Sequence, residues 1–201
     1  MRSWVSRAAW VAASLFVAVG GLFAVAWFKT EADLARVYAV ADPPLPVSDA
    51  PAALARGEHL YTVTGCVECH GDAGVGKVFI DAGPVAFVVA PNLTPAALAE
   101  RYGANDLAAA IRHGVGPDGR PLRVMPVGDF KDLSDEDTAA LVAYLQSLPH
   151  SDHDPGETEI RPLGRVLAML GRFDLVPAAA IDHAPRTRTA PPACATNAAI
   201  S

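Results

Sequence analysis

Two thiols three positions apart, followed at once by an imidazole, are the residues best equipped for chemistry: Cys66-Val67-Glu68-Cys69-His70. Each thiol can add across one vinyl group of a haem, and His70 then lies beneath the porphyrin as an iron ligand, so the spacing reads as covalent attachment of a c-type haem. Three other chemistries use cysteines at this spacing. A structural zinc site closes a four-ligand shell, usually from two ligand pairs, whereas the third cysteine, Cys194, stands alone far downstream. A thioredoxin-like dithiol follows a strand within a βαβ pattern, which is not visible here. A plain disulfide is the third.

Haem iron in an electron carrier commonly takes a second protein ligand, and methionine is the one that raises the potential. The chain has Met1, Met125 and Met169. Met1 is the start residue, and Met169 falls in an apolar helical pattern. Met125 lies in the loop Arg123-Val124-Met125-Pro126, where Pro126 stiffens the backbone and biases Met125 toward an extended conformation. Met125 is therefore the candidate distal ligand and His70 the proximal one. With Met125 absent from the iron, a five-coordinate haem enzyme, or a protein binding peroxide or a gas, is the alternative.

From about Asp49 to Pro149 the sequence resembles a class I cytochrome c domain. The resemblance is carried by Gly65-Cys66-Val67-Glu68-Cys69-His70-Gly71, by Arg123-Val124-Met125-Pro126, and by a closing helix with Leu141, Tyr144 and Leu145. Ala90-Pro91-Asn92-Leu93-Thr94-Pro95 and the string from Ala110 to Leu122 are similar to membrane-attached cytochromes of bacterial respiratory chains, including the cytochrome subunits of alcohol and gluconate dehydrogenases. The resemblance implies an all-α class of fold, short helices around one covalently bound haem c. It also implies that Gly57 and Tyr61 of the first helix meet Tyr144 of the last. The ring N–H of His70 should find a proline carbonyl, from Pro84 or Pro91. Many class I cytochromes hold a propionate with a tryptophan, which this region lacks. Asn92, Tyr102, Arg120 and Arg123 are the candidates for the propionates, arginine being suited to paired contacts with a carboxylate.

The elements that must position these residues can be read in part. Ala8 to Phe28 carries no charge and reaches the roughly 20 residues that cross a bilayer; Arg2, Arg7 and Lys29 bracket it, and Trp4, Trp10 and Trp27 fall in or beside it. Residues 1–29 thus read as a single transmembrane anchor with the arginines inside, Ala24-Val25-Ala26 offering the competing reading of a cleaved signal peptide. Either way the haem domain lies in the periplasm, on the outer face of the cytoplasmic membrane. Residues 30–48 read as a spacer, a short helix over Glu31 to Val40 followed by a stiff proline-rich stretch. Within 49–149, Ser48 or Asp49 caps a helix from Pro51, a short helix follows Thr94-Pro95, and Asn105 caps another that ends at His113-Gly114. Ser134 caps the last helix, with three acids in its first turn. Residues 78–91 show no sustained period and read as loop. His113 is expected to interact with the last carbonyls of its helix.

Residues 150–201 read as a linker, a short amphipathic helix from Pro162 to Leu170, and a tail disordered at its end. The segment resembles the linker between the haem domains of di-haem relatives, and this chain holds a single Cys-x-x-Cys-His. It is either a one-haem homologue or a truncated or frame-shifted di-haem protein. Overall the chain is apolar and mildly acidic, 51% hydrophobic with a formal charge of −6. Residues 49–149 hold 13 Asp and Glu against 7 Lys and Arg, which argues against nucleic acid and leaves docking to basic patches on redox proteins open. The resemblance implies partners among the redox proteins of a respiratory chain: a dehydrogenase, a quinol-oxidising complex or a terminal oxidase.

Overall fold

A computed structural model describes residues 2–185 and 187–189, with the side chains of Arg2 and Ser3 left aside. Cys194 and the end of the tail lie outside the described residues.

The first helix, α1 (Arg2–Leu34), is continuous. Every described side chain from 4 to 25 is exposed, and burial begins at Ala26 and returns at Thr30. At 1.5 Å per residue the exposed part is about 33 Å long, the thickness of a hydrocarbon core. The window within Trp4–Leu34 has a mean hydropathy of 2.2. Past that point the helix becomes part of the folded domain. Ala26, Thr30 and Leu34 recur every four residues and so share one face, and helix α7 (Pro162–Met169) covers that face. Arg165 of α7 joins the two helices. Its guanidinium lies 3.8 Å from the centre of the Trp27 ring, donates to Thr30 Oγ1 at 2.7 Å and pairs with Glu31 at 2.7 Å. A buried arginine with a carboxylate, a hydroxyl and an aromatic face leaves little of its charge uncompensated.

Residues 30–48 therefore differ from the expected spacer. No separate helix spans Glu31 to Val40, because α1 runs on to Leu34. The proline-rich stretch lies on the domain: Tyr38 N–H donates to Gly119 O at 2.8 Å, and Leu45 and Val47 pack against the core. Asp42 accepts from Arg188 at 2.6 Å and from His113 at 3.0 Å, with Arg112 at 3.5 Å. One carboxylate thus draws this segment, α5 (Ala104–His113) and the C-terminal segment together.

The domain's core is built by α2 (Pro51–Val63) crossing α6 (Asp135–Ser147), with α5 packed on α6. α2 starts at Pro51 as expected, but its N-cap is Ala50; Ser48 Oγ instead accepts from the Ala50 N–H at 3.2 Å. Ser134 caps α6, its hydroxyl accepting from Asp137 N–H at 3.0 Å. The two helices meet at Gly57, where a Cβ would collide with the Ala140 carbonyl and lie 2.6 Å from Tyr144 Cβ. One turn further along α2, Tyr61 and Tyr144 place their ring centres 5.4 Å apart. Gly57→Ala should gain about 1 kcal/mol in helix propensity and lose more, because a backbone carbonyl cannot step aside. A net destabilisation of about 2 kcal/mol is expected from overpacking, read as a lower denaturant midpoint of the haem-loaded protein; an unchanged midpoint would refute the close crossing.

The fold is mostly helical, as expected, with one addition. Residues read as loop form a hairpin, β1 (Lys77–Asp81) and β2 (Ala86–Ala90), and β3 (Glu159–Ile160) pairs on the far side of β2 to give antiparallel order β1-β2-β3. The period-2 signal is hidden for a physical reason. β2 is buried at Ala86, Val88, Val89 and Ala90, so its apolar run does not alternate, and a register shift between Val78 and Ile80 breaks the pattern of β1.

Candidate haem site

Helix α3 (Cys66–His70) is a single turn entered through Gly65 at φ 83°, a left-handed corner between α2 and α3. In a helix of this length Cys66, Cys69 and His70 stand at i, i+3 and i+4 and share one face. Both cysteines are unpaired with each other and half-buried. Burial pushes the Cys66 thiol up, partly opposed by a hydrogen bond with Thr64 at 3.4 Å, and burial raises Cys69 as well, opposed by Lys77. Redox-active dithiols have the reverse property, a thiolate stabilised near neutrality. Among the described residues no three His, Cys, Asp or Glu side chains are grouped to hold a metal ion, so the zinc reading finds no ligand shell there.

His70 is oriented by the hairpin. Its Nδ1 lies 2.9 Å from the carbonyl oxygen of Pro91, the residue immediately after β2. A carbonyl only accepts, so Nδ1 carries the proton and Nε2 keeps its lone pair. Burial lowers the pKa of the ring, with the Pro91 bond opposing it, and a neutral imidazole is the form that binds iron. Pro84, the other candidate, sits in the hairpin turn, away from His70's bond.

Met125 lies in the loop after α5, just ahead of a 3-10 turn at Val127–Asp129. Its side chain packs against the core cluster that includes Tyr61, Leu107, Ile111 and Leu141, and so do Cys66, Val67, Leu93, Leu98 and Tyr102. The cysteine-bearing and methionine-bearing segments therefore border the same apolar interior. Met169 belongs to α7. His113 is fully buried rather than capping its helix. Its Nε2 meets Asp42 at 3.0 Å and its Nδ1 meets His183 at 3.1 Å, so both ring nitrogens are already engaged.

The propionate candidates divide. Asn92 is buried, donates to Ser151 O at 2.8 Å and His153 O at 3.0 Å, and accepts from Thr94 N–H at 2.9 Å. Its amide nitrogen holds the backbone of residues 151–153, bonds with which a propionate contact would compete. Tyr102, Arg120 and Arg123 line one cleft of about 270 Å³ beside the last turn of α1. Arg120 is exposed and 3.8 Å from Asp118, and Arg123 donates to Thr158 O at 3.2 Å. Two features were not visible in the motif: the route by which Pro91 reaches His70, and Val124, which adopts φ 63° beside Met125. The resemblance offers Pro91 beside Pro84 as the carbonyl, but no pattern in residues 78–91 shows the hairpin that brings it there; the second feature leaves no sign.

The surroundings fit a covalently held haem. Two thiols and an imidazole share one face, the imidazole presents a free Nε2, and a thioether packs on the same apolar interior. Comparison with known proteins agrees. Residues 54–149 match the family model described as Cytochrome c. The chain is 36% identical over 97 residues to the gluconate 2-dehydrogenase cytochrome c subunit of Pantoea cypripedii, covering 45% of this chain and 22% of that protein. It is 30% identical over 112 residues to the fructose dehydrogenase cytochrome subunit of Gluconobacter japonicus, covering 52% and 23%. A match to a nicotinate dehydrogenase subunit of Pseudomonas putida is 32% identical over 142 residues, 67% of this chain and 12% of that one. The chain thus spans less than a quarter of the length of these relatives. With the site geometry and the family match in agreement, the helical domain over residues 54–149 is a cytochrome c domain, the type that carries covalently bound haem c.

Proposed function

We propose that the chain is a membrane-anchored, single-haem electron carrier, with Cys66 and Cys69 as the thioether attachments and His70 and Met125 as the axial ligands. The observation that carries this reading is the pairing of an oriented imidazole, His70 on Pro91, with a thioether packed on the same apolar interior as Cys66. Haem supplies a one-electron ferric/ferrous couple when bound. The protein's own part is positional. Pro91 holds the His70 ring in one tautomer and increases its donor strength, Met125 supplies a soft neutral sulfur, and Leu107 and Ile111 keep the interior dry. Tyr102, Arg120 and Arg123 are the proposed propionate contacts, sharing the cleft beside α1. Filling both axial positions from the chain leaves no site for substrate, so the proposed role is transfer rather than catalysis.

The anchor reading is supported by the exposed apolar length of α1 and by the unbroken helix through Ala24-Val25-Ala26, with Ala26 buried under the domain. Arg2 and Arg7 favour an amino terminus inside, which puts the haem domain in the periplasm. The proposed partners are redox proteins of a respiratory chain. Two of the relatives are cytochrome subunits of sugar or sugar-acid dehydrogenases by name, and a dehydrogenase is the donor class this suggests.

One sample tests the reading. The intact mass of protein extracted from membranes should equal the chain with residues 1–26 retained plus one haem, and an optical redox titration should trace a single one-electron wave. A chain beginning at Trp27 would remove the anchor; a mass without haem would remove the carrier.

A further inference from the structure

Val124 is the one described residue other than glycine with positive φ, at 63°. For a β-branched residue this is a true outlier, kept only where the surroundings hold it. Only part of the surroundings comes from within residues 54–149, the strand residues Ala86 and Val88; the rest comes from beyond residue 149, where the family match ends. Val124 N–H donates to Leu175 O at 3.1 Å, and its side chain packs against the cluster of Ala86, Val88, Ile160 and Leu175. On the preceding residue, Arg123 Nη1 donates to Thr158 O at 3.2 Å. The next residue is Met125, whose N–H donates back to Arg123 O at 2.8 Å. The segment from Thr158 to Leu175 also clamps α1 through Arg165.

We infer that residues 158–175 are a built-in strut that positions the Met125 loop, with Val124 as the positioning residue through which it acts. The inference rests on Met125 being the axial ligand. Held in the left-handed region, Val124 turns the chain so that Met125 follows it into the core while Val124 itself faces the hairpin and Leu175. Released from Leu175, Val124 relaxes to negative φ, and Met125 is carried off its position.

The test uses the full haem-loaded chain, with the near-infrared band of ferric His/Met haem and the rate of carbon monoxide binding to the ferrous form as readouts. Val124→Ala removes the side chain that is held but keeps the cost of positive φ. Leu175→Ala removes what it is held against. Both should retain covalent haem, lose most of the band and bind carbon monoxide about tenfold faster or more, the usual scale for losing a support behind a ligand. Val124→Gly should keep more of the band than Val124→Ala, because glycine is at ease at positive φ. A role in core packing alone ranks them the other way, since glycine removes more of the side chain.

The strut is overturned if Val124→Ala and Leu175→Ala keep the unmodified band and rate, or if glycine ranks below alanine, while Met125→Ala abolishes the band. A Met125→Ala protein that keeps the band instead defeats the ligand assignment itself, and the strut falls with it. Should Leu175→Ala fail to load haem, Leu175→Val is read in the same way.

Discussion

Replacing Cys66 and Cys69 together by serine should leave no haem attached to the chain after denaturation and acid-organic extraction. A hydroxyl does not form the thioether, and no other cysteines in the sequence stand at attachment spacing. The effect should reach beyond the bond. A domain of about 100 residues buries limited apolar surface, and here the side chains of Leu93, Leu98, Tyr102 and Met125 are only partly buried around their shared cluster. Haem is the apolar body that would complete that interior. The doubly substituted protein should therefore lose its cooperative thermal transition along with the cofactor, followed by the helical signal in circular dichroism. Single substitutions should retain one thioether and intermediate stability. Haem that survives extraction from the double variant would defeat the assignment of both thiols.

Met125→Ala should leave attachment intact and change the iron's behaviour. Loss of a soft, neutral sulfur removes a ligand that favours the ferrous state, and the reduction potential should fall by on the order of 0.2 V, within the range that axial ligands span. The near-infrared band of ferric His/Met haem should vanish, and the ferrous protein should bind carbon monoxide readily. Met169→Ala should do none of this, because Met169 lies on α7. If the unmodified protein lacks the band and binds carbon monoxide at once, a five-coordinate enzyme or gas-binding protein becomes the better reading. The same pair of measurements thus separates carrier from catalyst.

What could be read ahead of the structure was local. Cys66, Cys69 and His70 announce their chemistry by type and by distances of three and four residues, which a single helical turn converts into one face. Ala8 to Phe28 announces a candidate span by length and lack of charge. Gly57 and the acids after Ser134 are legible because a helix crossing and a helix start each leave a mark within one turn. The hairpin was not legible, since a fully buried strand does not alternate and the register shift in β1 disrupts what alternation remains.

The proposed attachment through Cys66 and Cys69, the preference for Met125 over Met169 as the proposed ligand, and the candidate span rest on residue type and near-neighbour spacing, which the sequence displays directly. Tertiary structure alone decided which groups support them. Pro91 reaches His70 across 21 positions because β1 and β2 fold back, and Asp42 meets Arg188 across 146 because its charge is buried only where two arginines converge. Asn92 ties down Ser151 and His153, and Val124, at positive φ, donates its N–H to Leu175. Each of these depends on hydrogen bonds and burial between segments distant in the chain, and no periodicity or spacing within either segment encodes its partner.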